Sequence, residues 1–135
     1  MRIKSFPALL EQVPEMLSWV RSECTASGLK SFLIQRLEVV AEEAIANIIF
    51  HTYKRNEGKI EIVLDVADTQ IQMIIRDWGP PYNPLLLAPK VDVDASLEER
   101  EEGGLGVHLM RELVDQIHYR RDLESNVLSI VKFLA

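Results

Sequence analysis

Apolar positions along this chain recur with two different periods, and the changes of period mark its elements. Arg2 to Phe6 alternates and predicts an edge strand. Leu9, Leu10, Val13, Leu17 and Val20 then return at helical spacing, which predicts a helix from Pro7 to about Ala26. Pro7 suits a first helical turn. Pro14 would kink or restart that helix if it stood in its middle. Ser27-Gly28 ends it. Ser31 is the expected cap of a second helix, whose stripe of Phe32, Leu33, Leu37, Val40, Ala41, Ala44, Ile45 and Ile48 runs to about His51.

After the turn Asn56-Glu57-Gly58 the period drops to two. Lys59 to Val66 and Gln70 to Arg76 alternate around Ala67-Asp68-Thr69, the pattern of a β-hairpin. Asp77 to about Gly104 is irregular, with Pro80, Pro81, Pro84 and Pro89 and the acidic run Glu98-Glu99-Arg100-Glu101-Glu102. A loop of that length is usually a functional lid or disordered. The acidic run by itself reads as a solvated helical turn. Leu105 to Val114 is helical again, and Ile117 to Arg121 and Val127 to Phe133 are strands joined by the polar turn Asp122 to Asn126. The order β-α-α-β-β-loop-α-β-β does not alternate strand and helix. It predicts an α+β fold in two layers, a mixed, mostly antiparallel sheet with helices on one face.

The 135 residues fit one domain, 1–135, with no repeat and no linker. A net charge of −6 argues against a nucleic-acid surface, which needs clustered Lys and Arg, but not against a single nucleotide held by backbone N–H groups. Cys24 is the only cysteine, so no internal disulfide forms. In its helical, apolar surroundings it reads as a packing residue. No apolar run reaches the length of a membrane span and the first residues carry no signal-peptide core, so the expected compartment is the cytoplasm.

Three segments carry candidate chemistry. In Glu42-Glu43-Ala44-Ile45-Ala46-Asn47, Glu43 and Asn47 stand four apart on one helix face, beside an apolar stripe. A magnesium ion and a phosphate would satisfy such groups, and the plain alternative is that both border the solvated face. In Asp77-Trp78-Gly79-Pro80-Pro81 an acid ends a strand, and the glycine lets backbone approach a planar ligand. A carboxylate accepts two donors and offers none, which suits an exocyclic amine, although an isolated turn would read the same way. In Gly103-Gly104-Leu105-Gly106 glycines open a helix, where backbone N–H groups favour anions. No Gly-Lys-Ser/Thr follows, so this is not a Walker loop.

Together and in this order the segments resemble the N box and the two glycine boxes of the GHKL ATPase superfamily, over nearly the whole chain. The stretches Glu-Ala-Ile-Ala-Asn-Ile-Ile-Phe-His-Thr-Tyr (43–53) and Asp-Trp-Gly-Pro-Pro-Tyr-Asn-Pro (77–84) look like anti-sigma factor serine/threonine kinases of the RsbW/SpoIIAB type. The resemblance implies the Bergerat-type α/β sandwich, with ATP between the helical layer and a lid. It implies Glu43 as catalytic base, Asn47 as magnesium ligand, Asp77 as adenine reader with Gly79 beside it, and Gly104 and Gly106 as phosphate-holding glycines. His51 and Tyr53 match the end of the N box and receive no catalytic role. A family Thr is Ala46 here, and some members carry Arg where this chain has Glu102, with Arg100 two residues back. Both departures bear on phosphoryl transfer rather than on ATP binding.

The implied activity is transfer of the ATP γ-phosphoryl group to a Ser or Thr of a STAS-type anti-sigma antagonist. Closure of the 85–102 loop would exclude water. Phosphorylation would add negative charge beside the acidic lid, releasing the antagonist and freeing the kinase for a sigma factor. A homodimer is the family's assembly. The rival readings are an ATP-dependent binding module with little turnover, a histidine-kinase ATPase module, and an ATPase without a protein substrate. No dimerisation helix with a phosphoacceptor His fits in this length.

Overall fold

The alternation of Lys59–Val66 and Gln70–Asp77 becomes an antiparallel hairpin at the centre of a five-stranded sheet. The computed structural model describes residues 1–54, 57–86 and 105–134. Its elements run β1 (Arg2–Pro7), α1 (Val13–Ala26), α2 (Ser31–Asn47), β2 (Lys59–Val66), β3 (Gln70–Asp77), α3 (Leu105–Leu113), β4 (Gln116–Asp122) and β5 (Ser125–Phe133). Short 3-10 turns stand at Leu10–Gln12 and Pro84–Leu86. The strand order is β1-β2-β3-β5-β4 and every pairing is antiparallel. An antiparallel sheet under one helical layer is as the pattern predicts, and the mixed character it allowed is absent, since no parallel pair occurs among the described strands.

Period-two alternation sends Ile60, Ile62 and Leu64 of β2, Ile71, Met73 and Ile75 of β3, and Leu128 and Ile130 of β5 into one buried face. The helices cover that face, with α2 packed against both α1 and α3. On α2 the buried stripe is Leu33, Ile34, Leu37, Val40, Ala41, Ala44 and Ile45. On α1 it is Met16, Val20 and Cys24, four residues apart. Burial pushes the Cys24 thiol up to about 11, and nearby Glu38 and Glu23 add to this. It is a packing residue, as its neighbours suggest.

Some boundaries differ from expectation. Pro7 closes β1 instead of opening a helix, and the helix begins after the 3-10 turn, with Pro14 in its first turn. A first turn needs no N–H from that residue, so the proline starts the helix and does not kink it. Ser31 is the first helical residue rather than a cap; Lys30 holds the cap position and makes no side-chain cap bond. The turn between β4 and β5 is only Leu123-Glu124, with Leu123 at φ 55, so β5 begins at Ser125. That shift puts Asn126 inside a strand.

The end of α2 widens into a π turn over Ile48–Thr52, closed by the Tyr53 N–H donating to the Ile48 carbonyl at 2.9 Å. Such a turn advances the chain by one extra residue and often marks a functional site. Here it leaves His51 exposed and returns Thr52 and Tyr53 to the interior.

Candidate functional site

The buried stripe of β3 ends in a charge. Asp77 is in phase with Ile71, Met73 and Ile75 and is only 2% exposed. Directly opposite on β5 stands Asn126, in phase with Leu128 and Ile130. Two donors meet Asp77 Oδ1: the Gly79 N–H at 3.0 Å and Asn126 Nδ2 at 2.8 Å. Burial pushes the Asp77 carboxyl above the usual range, against the opposing effects of Asn126, the Gly79 N–H and Arg121.

Asp77 and Asn126 line a small cavity with Asn47 and Thr52, walled by apolar side chains that include Ala44 and Ile75. Its volume is about 20 Å³, roughly room for one water. Tyr82 and Pro84 form its loop side, and the Tyr82 ring stacks on His51 at 5.8 Å with an interplanar angle of 12°. His51 is thus half of an aromatic stack at the cavity's edge.

The loop beyond Asp77 is pinned from several sides. The Tyr53 hydroxyl donates to the Lys59 carbonyl at 2.7 Å and accepts the Trp78 N–H at 2.8 Å, clamping the start of β2 to the end of β3. Arg121 Nη1 donates to the Gly79 carbonyl at 2.7 Å. A Cβ on Gly79 would lie 2.5 Å from Thr52 Cγ2, so only glycine lets this turn pass the π turn so closely. Lys59 Nζ covers the Trp78 ring at 4.3 Å.

Glu43, one turn before Asn47 on α2, faces a different neighbour. A Cβ on Gly106 would fall 2.2 Å from Glu43 Oε2, so the carboxylate lies against the start of α3. Burial raises the Glu43 carboxyl above the usual range, and Glu42 raises it further.

The structure therefore brings Asn47 and Asp77 to one cavity, with the Gly79 N–H bonded to Asp77, and sets Glu43 against Gly106 one helical turn before Asn47. Gly104 and the acidic run 98–102, with Arg100 and Glu102, lie outside the described residues, as does the 85–102 loop beyond Leu86. Sequence reasoning missed Asn126, Thr52, Tyr82, Tyr119 and Arg121. The signal for Asn126 and Tyr119 was their phase, since each continues the inward stripe of its strand. Among the described residues no His, Cys, Asp and Glu group forms a metal cluster, and no helix is long and apolar enough to cross a membrane.

Comparison with known proteins adds a family to this geometry. The model of the histidine kinase-like ATPase domain matches residues 6–132. The serine-protein kinase RsbW of Bacillus mycoides strain KBAB4 is 31% identical over 98 residues, 70% of this chain. The chain thus spans only 61% of that relative's length. RsbW of Bacillus cereus strain AH187 is 28% identical over 125 residues, covering 90% of this chain and 78% of that protein. Among solved structures, the catalytic domain of histidine kinase ThkA superposes with a TM-score of 0.58 at 16% identity. That match covers 99% of this chain and 97% of that domain. Likeness at that identity speaks for the fold alone.

Proposed function

From the premise that the chain belongs to the histidine kinase-like ATPase domain family, we propose that it binds ATP in this cleft and phosphorylates a protein serine or threonine. The observation that carries the reading is Asp77, a buried carboxylate at the edge of an apolar cavity, with Oδ1 held by two donors. Oδ2 then remains to accept the exocyclic amine of adenine, and the apolar walls suit the faces of the ring. A cavity of about 20 Å³ is too small for a purine. The Tyr82 and Pro84 side chains would have to swing outward to admit it, while the Tyr82 N–H stays bonded to Asn126.

The triphosphate would extend toward the start of α3, where Gly106, and Gly104 shortly before it in the sequence, would let phosphate approach backbone N–H groups. Asn47 would hold a magnesium ion, which supplies charge neutralisation to the phosphates. Glu43 takes the proton from the attacking hydroxyl as its oxygen bonds to the γ-phosphorus and the bond to ADP breaks. Its raised pKa suits a group that must accept a proton.

The relatives named serine-protein kinase RsbW support serine as the acceptor. We take the substrate to be a STAS-type anti-sigma antagonist, with a sigma factor as the alternative partner, in the cytoplasm and as a homodimer. The test incubates the protein with γ-labelled ATP, magnesium and a STAS-type protein, followed by phosphoamino-acid analysis. Phosphoserine or phosphothreonine on the partner is expected. Phosphohistidine would assign it to histidine-kinase chemistry, free phosphate alone to an ATPase, and binding without label to a non-catalytic module.

A further inference from the structure

Among the described residues, the most connected polar side chain of this cavity is one that no motif marks. Asn126 is 4% exposed. Its Nδ2 donates to Asp77 Oδ1 at 2.8 Å and to the Pro80 carbonyl at 2.9 Å. Its Oδ1 accepts the Tyr82 N–H at 3.2 Å and the Tyr119 hydroxyl at 2.5 Å. Two donors on one atom and two acceptor sites on the other are thus all used. The neighbours also fix the amide's orientation, because the carboxylate needs the nitrogen and the Tyr82 N–H needs the oxygen.

We propose that Asn126 is the positioning residue for base selection: it turns Asp77 so that Oδ2 alone addresses the base, and it ties that carboxylate to the loop carrying Tyr82. The inference rests on the reading of this cavity as an adenine site and deepens it. With Oδ1 committed to Asn126 and Gly79, the free oxygen meets a donor on adenine and would meet a carbonyl oxygen on guanine. Without Asn126, Oδ1 keeps only the Gly79 N–H, and the Pro80 carbonyl and Tyr82 N–H lose their shared anchor. The carboxylate can then rotate, and the wall of the cavity loosens with it. No other side chain of similar size reproduces the set, since Thr has one donor and an ionised Asp has none.

Replacement by Asp gives a readout that simple loss of packing would not. Asn126→Asp sets two carboxylates side by side. The other groups that face them are Arg121 and Tyr119 on β4, Tyr82 on the loop and Tyr53 after α2. His51 stacks on Tyr82 in every variant, so comparison with wild type at the same pH cancels its contribution. Phenols and guanidinium groups do not ordinarily titrate between about pH 5 and about pH 8. A close carboxylate pair instead shares one proton as pH falls. The protonated member then donates to the other and restores one of the lost bonds.

The test is calorimetric titration of wild type, Asn126→Ala and Asn126→Asp with ATP and with GTP, in magnesium, at about pH 8 and about pH 5. The quantity read is the ATP-to-GTP affinity ratio relative to wild type at the same pH, which cancels titration of the triphosphate. Asn126→Ala is expected to lose roughly ten- to hundredfold of the ratio, the worth of a hydrogen bond to a charged group. Asn126→Asp should lose as much at the higher pH and recover most of it at the lower. If the alanine variant fails to fold, the two pH values of the aspartate variant decide alone. A wild-type ratio retained by Asn126→Asp at both pH values, or lost equally at both, overturns the positioning role. Absence of any ATP preference in wild type overturns the adenine reading itself, and this inference with it.

Discussion

Asp77 and Glu43 are both carboxylates whose pKa burial raises, yet their surroundings differ in kind. Around Asp77 the hydrogen bonds from Asn126 and Gly79, and the charge of Arg121, oppose burial and favour the ionised form. Around Glu43 the neighbouring Glu42 adds to burial and favours the protonated form. Asp77 stands at the end of a central strand, locked to backbone and to a cross-strand partner. Glu43 stands on a helix, against a glycine of a second helix. A group that selects a base has to be ionised and immobile, whereas a group that takes a proton needs a pKa closer to the working pH. In the proposed function these two tasks fall to Asp77 and Glu43 respectively.

The sharpest way to break that division is to remove each charge in turn. Glu43→Gln keeps the shape and removes the base, so turnover is expected to fall by about 10²–10⁴ while ATP affinity is unchanged. Single-turnover phosphorylation beside equilibrium binding checks this, and an unchanged rate would place the base elsewhere. Asp77→Asn should do the reverse. Its new amide presents a donor to the adenine amine, and the ATP preference should drop by roughly 1.5–3 kcal/mol. Competition binding with ATP and GTP reads that loss.

A third variant probes the geometry of the selecting end. Gly79→Ala forces a methyl into Thr52 and should destabilise the fold by about 1–3 kcal/mol, as overpacking does. Urea unfolding measures it. The pH dependence of the nucleotide-free fold is a subtler expectation. A raised carboxyl makes the folded state hold protons more tightly than the unfolded chain. The stability it contributes is therefore present below the ordinary carboxylate pKa and is lost as pH rises through the raised folded value. Asp77→Asn removes that loss, so the variant should be more stable than wild type above this window, with the difference shrinking in acid. Unfolding at a series of pH values tests the sign. The smallest effect concerns the outside of the loop, where Lys59→Ala should cost about 0.5–1 kcal/mol through its contact with Trp78.

Glu43, Asn47, Asp77, Gly79 and Gly106 stand out in the sequence as candidates because each lies within a short motif. The hairpin and the stripe of α2 were legible because their periods are unbroken. Asn126 was not, because its meaning depends on the register between β3 and β5, which connects residues far apart in the chain. The polar run Asp122 to Asn126 looked like a loop, whereas a two-residue turn needs only Leu123 and Glu124. The π turn escaped for a similar reason. Ile48 to Thr52 continues the helical pattern, and only packing of Thr52 against Gly79 and of Tyr53 between β2 and β3 requires the extra residue. Pro14 constrains the helix in either position, and whether it kinks or starts one is decided by where β1 ends.

An adenine nucleotide held through Asp77 should stabilise the folded chain. Thermal unfolding with ATP, with GTP and without nucleotide, each with magnesium, tests it most directly. ATP at ~100 times its Kd should stabilise the fold by about 2.7 kcal/mol, and GTP at the same concentration should give much less. Equal shifts with the two nucleotides, or none with either, would contradict the account.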